Sequence, residues 1–123
     1  MEYLPDKAEV KMKIETYEKG VYQIIRVQDE GHTINSLSEL RDLIIGYLKR
    51  GKIHIAVSFC DASYIYSGAV SILISCYRMV EEHKGSLCII EPNPSLFDIL
   101  ETLNINNVIN IYVGEEYLPA YPN

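Results

Sequence analysis

A rhythm in the sequence restricts this chain more than any other feature. Short runs of strand-forming residues alternate with longer runs of helical periodicity, and turn residues separate them. "KMKIETYEKGVYQIIRVQ" reads as two strands around a Glu18-Lys19-Gly20 turn, with Val21, Ile24, Ile25 and Val27 apolar in the second. "SLSELRDLIIGYLKRG" reads as a helix. Ser36 and Glu39 stand at capping-box spacing, and Leu37, Leu40, Leu43, Ile44, Tyr47 and Leu48 form an apolar stripe ending before Gly51. "KIHIAVSF" follows as a strand with Ile53, Ile55 and Val57 alternating.

A second helix is expected over "SGAVSILISCYRMVEEHKG", stopping near Gly85. "SLCIIEPN" is nearly all apolar, as a central parallel strand covered on both faces must be. "PSLFDILETLNI" reads as a third helix. Pro94 suits its first turn, Asn93 its cap, and Leu96, Ile99, Leu100 and Leu103 its stripe. "VINIYV" is a last strand, and "GEEYLPAYPN" has room for a turn or so of helix before Pro119. The order ββαβαβαβ implies an α/β domain. Its sheet has about five strands, opened by an antiparallel hairpin and otherwise mostly parallel, with helices packed on it. No linker, repeat or low-complexity tract divides residues 1–123, so a single domain is expected.

Composition removes several function classes. A hydrophobic share of 48% and a mean hydropathy of +0.01 suit a soluble globular protein. Charges or hydroxyls interrupt every apolar run, which excludes membrane insertion by a spanning helix. "MEYLPDKAEVKMK" lacks the basic-then-apolar order of a signal peptide, so a cytoplasmic location is expected. The net charge is −6 and the Lys and Arg residues are spread along the chain, which argues against nucleic acid and leaves room for a basic protein partner. Cys60, Cys76 and Cys88 lack C-x-x-C spacing and read as reduced, buried thiols.

The stretch "CDASYIYSGAV" places Tyr64, Tyr66, Ser67 and Gly68 at one strand-to-helix corner. A nucleophilic serine there would need a G-x-S-x-G elbow and a histidine base. The elbow is absent, and no acid–base pair is suggested by the spacing of His32, His54 and His83. An enzyme using Ser67 or Cys60 therefore ranks last among the readings, and the chain is expected not to be an enzyme. The histidines and cysteines lie too far apart for a standard metal set, and there is no phosphate-binding glycine loop, so no cofactor is expected. The Glu30-Gly31-His32-Thr33 loop follows a strand pointing the same way as the corner and reads as a plain loop.

The helix beginning at Ser67 has two characters. Val70, Leu73, Cys76, Tyr77 and Val80 can face a sheet, whereas Ser67, Ser71, Ser75 and Arg78 recur at spacings of four, four and three. That second face is either a solvated surface or a flat polar ledge for a docking partner. Its first hydroxyl sits where free backbone N–H groups and the helix dipole would stabilise a phosphate.

From Ile53 to Arg78, and on through "GSLCIIEPNPSLFDILETLNINNVINIYVGEEYL", the chain resembles the STAS domain. Bacterial anti-sigma factor antagonists and the tails of sulfate transporters share that domain. The family writes the corner V-L-D-L-S-x-V-x-F-I-D-S-[ST]-G. Val57, Ser58, Phe59, Cys60, Ala62, Tyr64, Ile65, Tyr66 and Ser67 fall on it without a gap. Pro92, Leu100, Leu103, Ile105, Val108 and Ile111-Tyr112 continue the match, and "RVQDEGHTINSLSELRDLI" is a loose form of an upstream family segment. The departures lie at the corner. Ser58 and Tyr66 replace aspartates, Gly68 occupies the place of the phosphorylated hydroxyl, and Ala69 that of the next glycine. A one-residue shift would instead align Ser67-Gly68 with the [ST]-G pair.

The resemblance implies a bacterial, cytoplasmic regulator of transcription that binds an anti-sigma factor, often a serine kinase, and so releases a sigma factor. It also implies a partner surface at Ser58, Ser63, Tyr64, Tyr66, Ser67, Gly68, Ser71, Ser75 and Arg78, with Ser67 as the phosphorylation site if one exists. The alternative keeps the fold and changes its role, to a non-phosphorylated subunit of a lipid-transport ABC complex or a multi-STAS signalling particle.

Overall fold

The structure, a computed structural model, describes residues 13–28, 38–59 and 67–122. Strands β1 (Lys13–Lys19) and β2 (Tyr22–Gln28) form the expected hairpin, and Lys19 pairs with Tyr22. The turn is therefore Gly20–Val21, one residue later than the sequence suggests. A two-residue hairpin loop needs a positive φ at its first position, and Gly20 supplies it at +62°. Val21 consequently leaves the strand and stands 41% exposed.

Strands β3 (His54–Ser58), β4 (Ser86–Ile90) and β5 (Ile111–Tyr112) add in parallel, giving one five-stranded sheet in the order β1-β2-β3-β4-β5. Helices α1 (Ser38–Lys49), α2 (Ser67–Glu82) and α3 (Pro94–Thr102) each lie between successive parallel strands. Because each crossover steps to the next strand in the same direction, a common handedness puts every helix on one face. The main core forms there. Ile25, Val27, Ile55, Val57, Leu87 and Ile89 of the sheet meet Leu40, Ile44, Val70, Leu73, Cys76, Val80, Leu96 and Leu100 of the helices. Each fully buried aliphatic side chain contributes roughly 1.5–3 kcal/mol.

The stripes expected from periodicity are those buried in α1 and α2, with Leu43 and Tyr77 only half-buried. Ser36 and Leu37 lie outside the described residues. In α3 the stripe is shorter than expected: Leu96 and Leu100 are buried, but Leu103 is 47% exposed. Asn104 at φ +59° turns the chain there, so Leu103 ends the helix rather than extending its face.

The opposite face of the sheet buries Tyr22, Ile24, Ala56, Cys88 and Ile90 against Tyr112 and Leu118. Burial on both sides explains why β3 and β4 show no alternation: Ile55 through Phe59 and Leu87 through Ile90 are all buried. The segment after β5 closes over this face. It makes a single 3₁₀ turn at Glu115–Tyr117, Tyr22 Oη donates to the Pro119 carbonyl at 2.9 Å, and Tyr17 Oη donates to Glu115. The last strand is much shorter than "VINIYV" suggests, leaving Val108 48% and Val113 76% exposed.

Candidate partner-binding site

In an α/β sheet, the functional edge is where the parallel strands end at their carboxyl termini and the connections splay apart. Here that edge carries a small polar cluster. Arg26 ends the part of β2 that pairs with β3, Ser58 is the last residue of β3, and Glu91 follows β4 directly. All three project from the face opposite the helices. Ser58 Oγ donates to Glu91 Oε1 at 2.9 Å, and Arg26 Nη1 lies 3.3 Å from the same oxygen. Arg26 also reaches Glu15 on β1, with Nε 3.9 Å from Oε1.

Glu91 holds a costly backbone position. Its φ is +51°, in the left-handed region, and Pro92 follows it and restricts it further. Such a conformation costs about 1–3 kcal/mol and persists only where the surroundings fix it. They do so here. The Glu91 N–H donates to the Tyr112 carbonyl at 2.9 Å, and its carboxylate is held from two strands. Two residues on, Asn93 caps α3, accepting from the Leu96 N–H at 2.8 Å while its Nδ2 reaches the Phe59 carbonyl at 3.4 Å. The chain leaving β3 and the chain entering α3 are thereby tied together.

This arrangement corrects one expectation. Ser58 is 1% exposed and its hydroxyl donates to Glu91, so it is buried between strand ends and is not part of a contact surface. Ser63, Tyr64 and Tyr66 lie outside the described residues, as does the Glu30–Thr33 loop. Ser67 and Gly68 open α2, and the structure describes their backbone only. Ser71, Ser75 and Arg78 are all exposed along α2. With Ile74, Met79 and Glu82 they line one open groove of about 460 Å³. Exposure of these three side chains is what either a solvated face or a docking ledge requires.

Arg26 and Glu91 were missed in the sequence. The signal was available: a lone arginine inside "YQIIRVQ" and a glutamate closing "SLCIIE" are opposite charges near the ends of the two apolar strands that flank β3.

The two cysteines among the described residues, Cys76 and Cys88, are buried thiols, as expected. Burial pushes the Cys88 thiol up to about 12. Burial likewise pushes the Cys76 thiol up to about 11, against a smaller opposing pull from Arg41. Both are free and buried, and a thiol so raised is not a nucleophile at neutral pH. Cys60 lies outside the described residues. His83 hydrogen-bonds the Met79 carbonyl at 2.9 Å, and His54 Nδ1 lies 3.0 Å from Ser86 Oγ at the opposite end of the strands from Ser58. Among the described residues, no group of three His, Cys, Asp or Glu side chains comes together as a metal set, and no helix is long and apolar enough to cross a membrane.

Comparison with known proteins agrees with the geometry. A crystal structure of an anti-sigma factor antagonist from Mycobacterium paratuberculosis superposes with a TM-score of 0.73 at 10% identity, covering 86% of this chain and 89% of that one. The anti-sigma factor antagonist SpoIIAA in its unphosphorylated form gives 0.68 at 16% identity, with coverage of 86% and 91%. The phosphorylated form of SpoIIAA, described as a Bacillus cell fate determinant, gives 0.62 at 17% identity, with coverage of 86% and 95%. At these identities the likeness is one of fold. No curated protein sequence matches the chain. The family model for the STAS domain, however, matches residues 13–117, nearly the full length, and the chain belongs to the STAS domain family.

Proposed function

We propose that this protein is a protein-binding regulator of the anti-sigma factor antagonist type, and that its partner, an anti-sigma factor or serine kinase, docks on the outer face of α2. Capture of that partner frees a sigma factor. The observation that carries the reading is the exposed row Ser71, Ser75 and Arg78 along one groove, on the helix that begins at the corner. Small hydroxyls let a partner helix approach closely, and Arg78 offers a fixed charge at the far end. Tyr64 and Tyr66, just before this helix in the sequence, are tyrosines of the kind that supply broad contact area.

Ser67 is the residue to modify in such a switch, because a phosphate at a helix start gains backbone donors, and added charge in a docking surface breaks it by repulsion and desolvation. Gly68 in the place of the usual hydroxyl and Tyr66 in the place of an aspartate favour weak or absent modification, with occupancy set by partner concentration. The same departures support the second reading, a non-phosphorylated STAS subunit of a larger assembly. Incubation with a serine kinase and ATP, followed by mass spectrometry, separates the two. Stoichiometric phosphate on Ser67 favours the antagonist switch, and unmodified protein that binds no anti-sigma factor or kinase favours the subunit of a larger assembly.

A further inference from the structure

The two faces of the sheet are closed by very different means. On one face every helix drives fully buried side chains into the main core: Leu40 and Ile44 from α1, Leu73 and Cys76 from α2, Leu96 and Leu100 from α3. On the other face Tyr22, Ile24, Ala56, Cys88 and Ile90 are buried as well, and among the described residues Tyr112 and Leu118 pack against them. Leu118 belongs to residues 113–122, the segment that follows β5. No side chain of that segment is fully buried. Leu118 and Pro122 are half-buried, while Val113, Tyr117, Pro119, Ala120 and Tyr121 are exposed.

Packing beneath the segment is incomplete. Tyr22, Cys88, Asn110, Tyr112, Pro119 and Pro122 line a cavity of about 90 Å³ between it and the sheet. Atoms that face a cavity forgo the dispersion contacts of a close-packed interface. The segment is tied down by side chains of the first hairpin. Tyr22 Oη donates to the Pro119 carbonyl at 2.9 Å, Tyr17 Oη donates to Glu115, and Lys19 Nζ lies 3.8 Å from Glu115 Oε1. Tyr17 and Lys19 are exposed, and an exposed ion pair holds weakly. Elements held this lightly open first and as units, well below the free energy of global unfolding. The exit point is suited to a pivot: Tyr112 is the last paired residue of β5, and Val113 after it is 76% exposed.

We propose that residues 113–122 form a strap that swings off the outer face of the sheet as a unit, pivoting after Tyr112, while the helices and the other strands stay folded. The closed strap shields Cys88, and the open strap uncovers it. Access to this face is thereby controlled by the strap and not by unfolding of the domain.

Two cysteines on opposite faces report the motion. Cys88 lies under the strap, and Cys76 lies in the main core. Burial raises both thiols and opening relieves it, so each alkylates only when its own face is open. The full chain is treated with iodoacetamide at urea concentrations below its unfolding transition, and the label at each cysteine is measured by peptide mass spectrometry. Cys88 should react about tenfold or more faster than Cys76. Its urea dependence should be shallower, because strap opening exposes little surface. Ile44→Val, in the main core, should speed Cys76 several-fold and leave Cys88 unchanged, since the strap opens without breaking that core. Leu118→Ala should speed Cys88 about threefold or more, and Tyr22→Phe, which removes the hydroxyl bonded to Pro119, should act in the same direction. Equal rates at the two cysteines, equal urea slopes, a Cys88 rate that rises with Ile44→Val, or a Cys88 rate indifferent to both strap variants would each overturn the proposal. So would a Cys88 that reacts as fast as a free thiol, because the strap would then not be closed.

Discussion

Ser58 Oγ sits 2.9 Å from Glu91 Oε1, joining the end of β3 to the strained residue that ends β4. Arg26 approaches the same oxygen, so one cluster links β2, β3 and the residue after β4. Residues joined in this way are energetically coupled. A double-mutant cycle of Ser58→Ala and Glu91→Ala, followed by urea unfolding, should give an interaction energy of about 0.5–3 kcal/mol. Additive losses would mean the hydrogen bond does not couple the two residues.

The end of α2 predicts two neighbouring substitutions of opposite sign. Lys84 adopts φ +61°, and Gly85 donates to the Val80 carbonyl at 3.0 Å, which is the closing pattern of a helix with a left-handed residue after it. Lys84→Gly should raise stability by up to about 1 kcal/mol, since glycine adopts that φ without a steric cost. At Gly85 a Cβ would fall 2.7 Å from Ile53 Cβ and closer still to the Ile53 carbonyl. Gly85→Ala should lower stability by about 1–3 kcal/mol, because backbone on both sides has to move. Thermal unfolding of the two variants checks the pair.

Alkaline pH should unfold the protein through its buried acids. In the folded chain, burial pushes Cys76 from 9.0 to about 11, Cys88 from 9.0 to about 12 and Tyr22 from 10.0 to about 12, with Cys88 and Tyr112 adding to the rise at Tyr22. These groups hold their protons more tightly when folded. Their contribution is complete below pH 9 and is lost as pH rises through the folded values, because the unfolded chain releases protons first. The melting temperature should fall steadily between pH 9 and 12, and less steeply in Cys88→Ala. A flat profile over that range would contradict the burial of these groups.

Ser71 and Ser75 are exposed on α2, so stability and binding should respond differently to change there. Ser75→Glu and Ser71→Arg should alter stability by no more than about 0.5 kcal/mol. Unfolding of either variant would make those serines part of the packing.

Most of the fold was legible because its signals are local. The alternation of strand and helix patterns gave the element order, and the Asn93-Pro94 start of α3 was readable as cap and first turn. The misplacements have physical causes. Gly20 moved the hairpin turn by one residue, since the loop needs positive φ at its first position. Leu103 left the α3 stripe because Asn104 turns the chain. The site was less legible. Spacing on one helix singles out Ser71, Ser75 and Arg78 as candidates, but Ser58, Arg26 and Glu91 come from in or beside three strands distant in sequence, and only the register of the sheet brings them together. Periodicity cannot show such a cluster.

The proposed docking of an anti-sigma factor or serine kinase on α2 makes a quantitative demand on binding. Calorimetric titration of the native chain, and of Ser75→Glu, with the anti-sigma factor or kinase encoded beside it tests this most directly. The account predicts saturable binding by the native chain and a loss of about tenfold or more in Ser75→Glu, which is about 1.4 kcal/mol, at unchanged melting temperature. Equal affinity for both proteins, or no binding by the native chain, would contradict it.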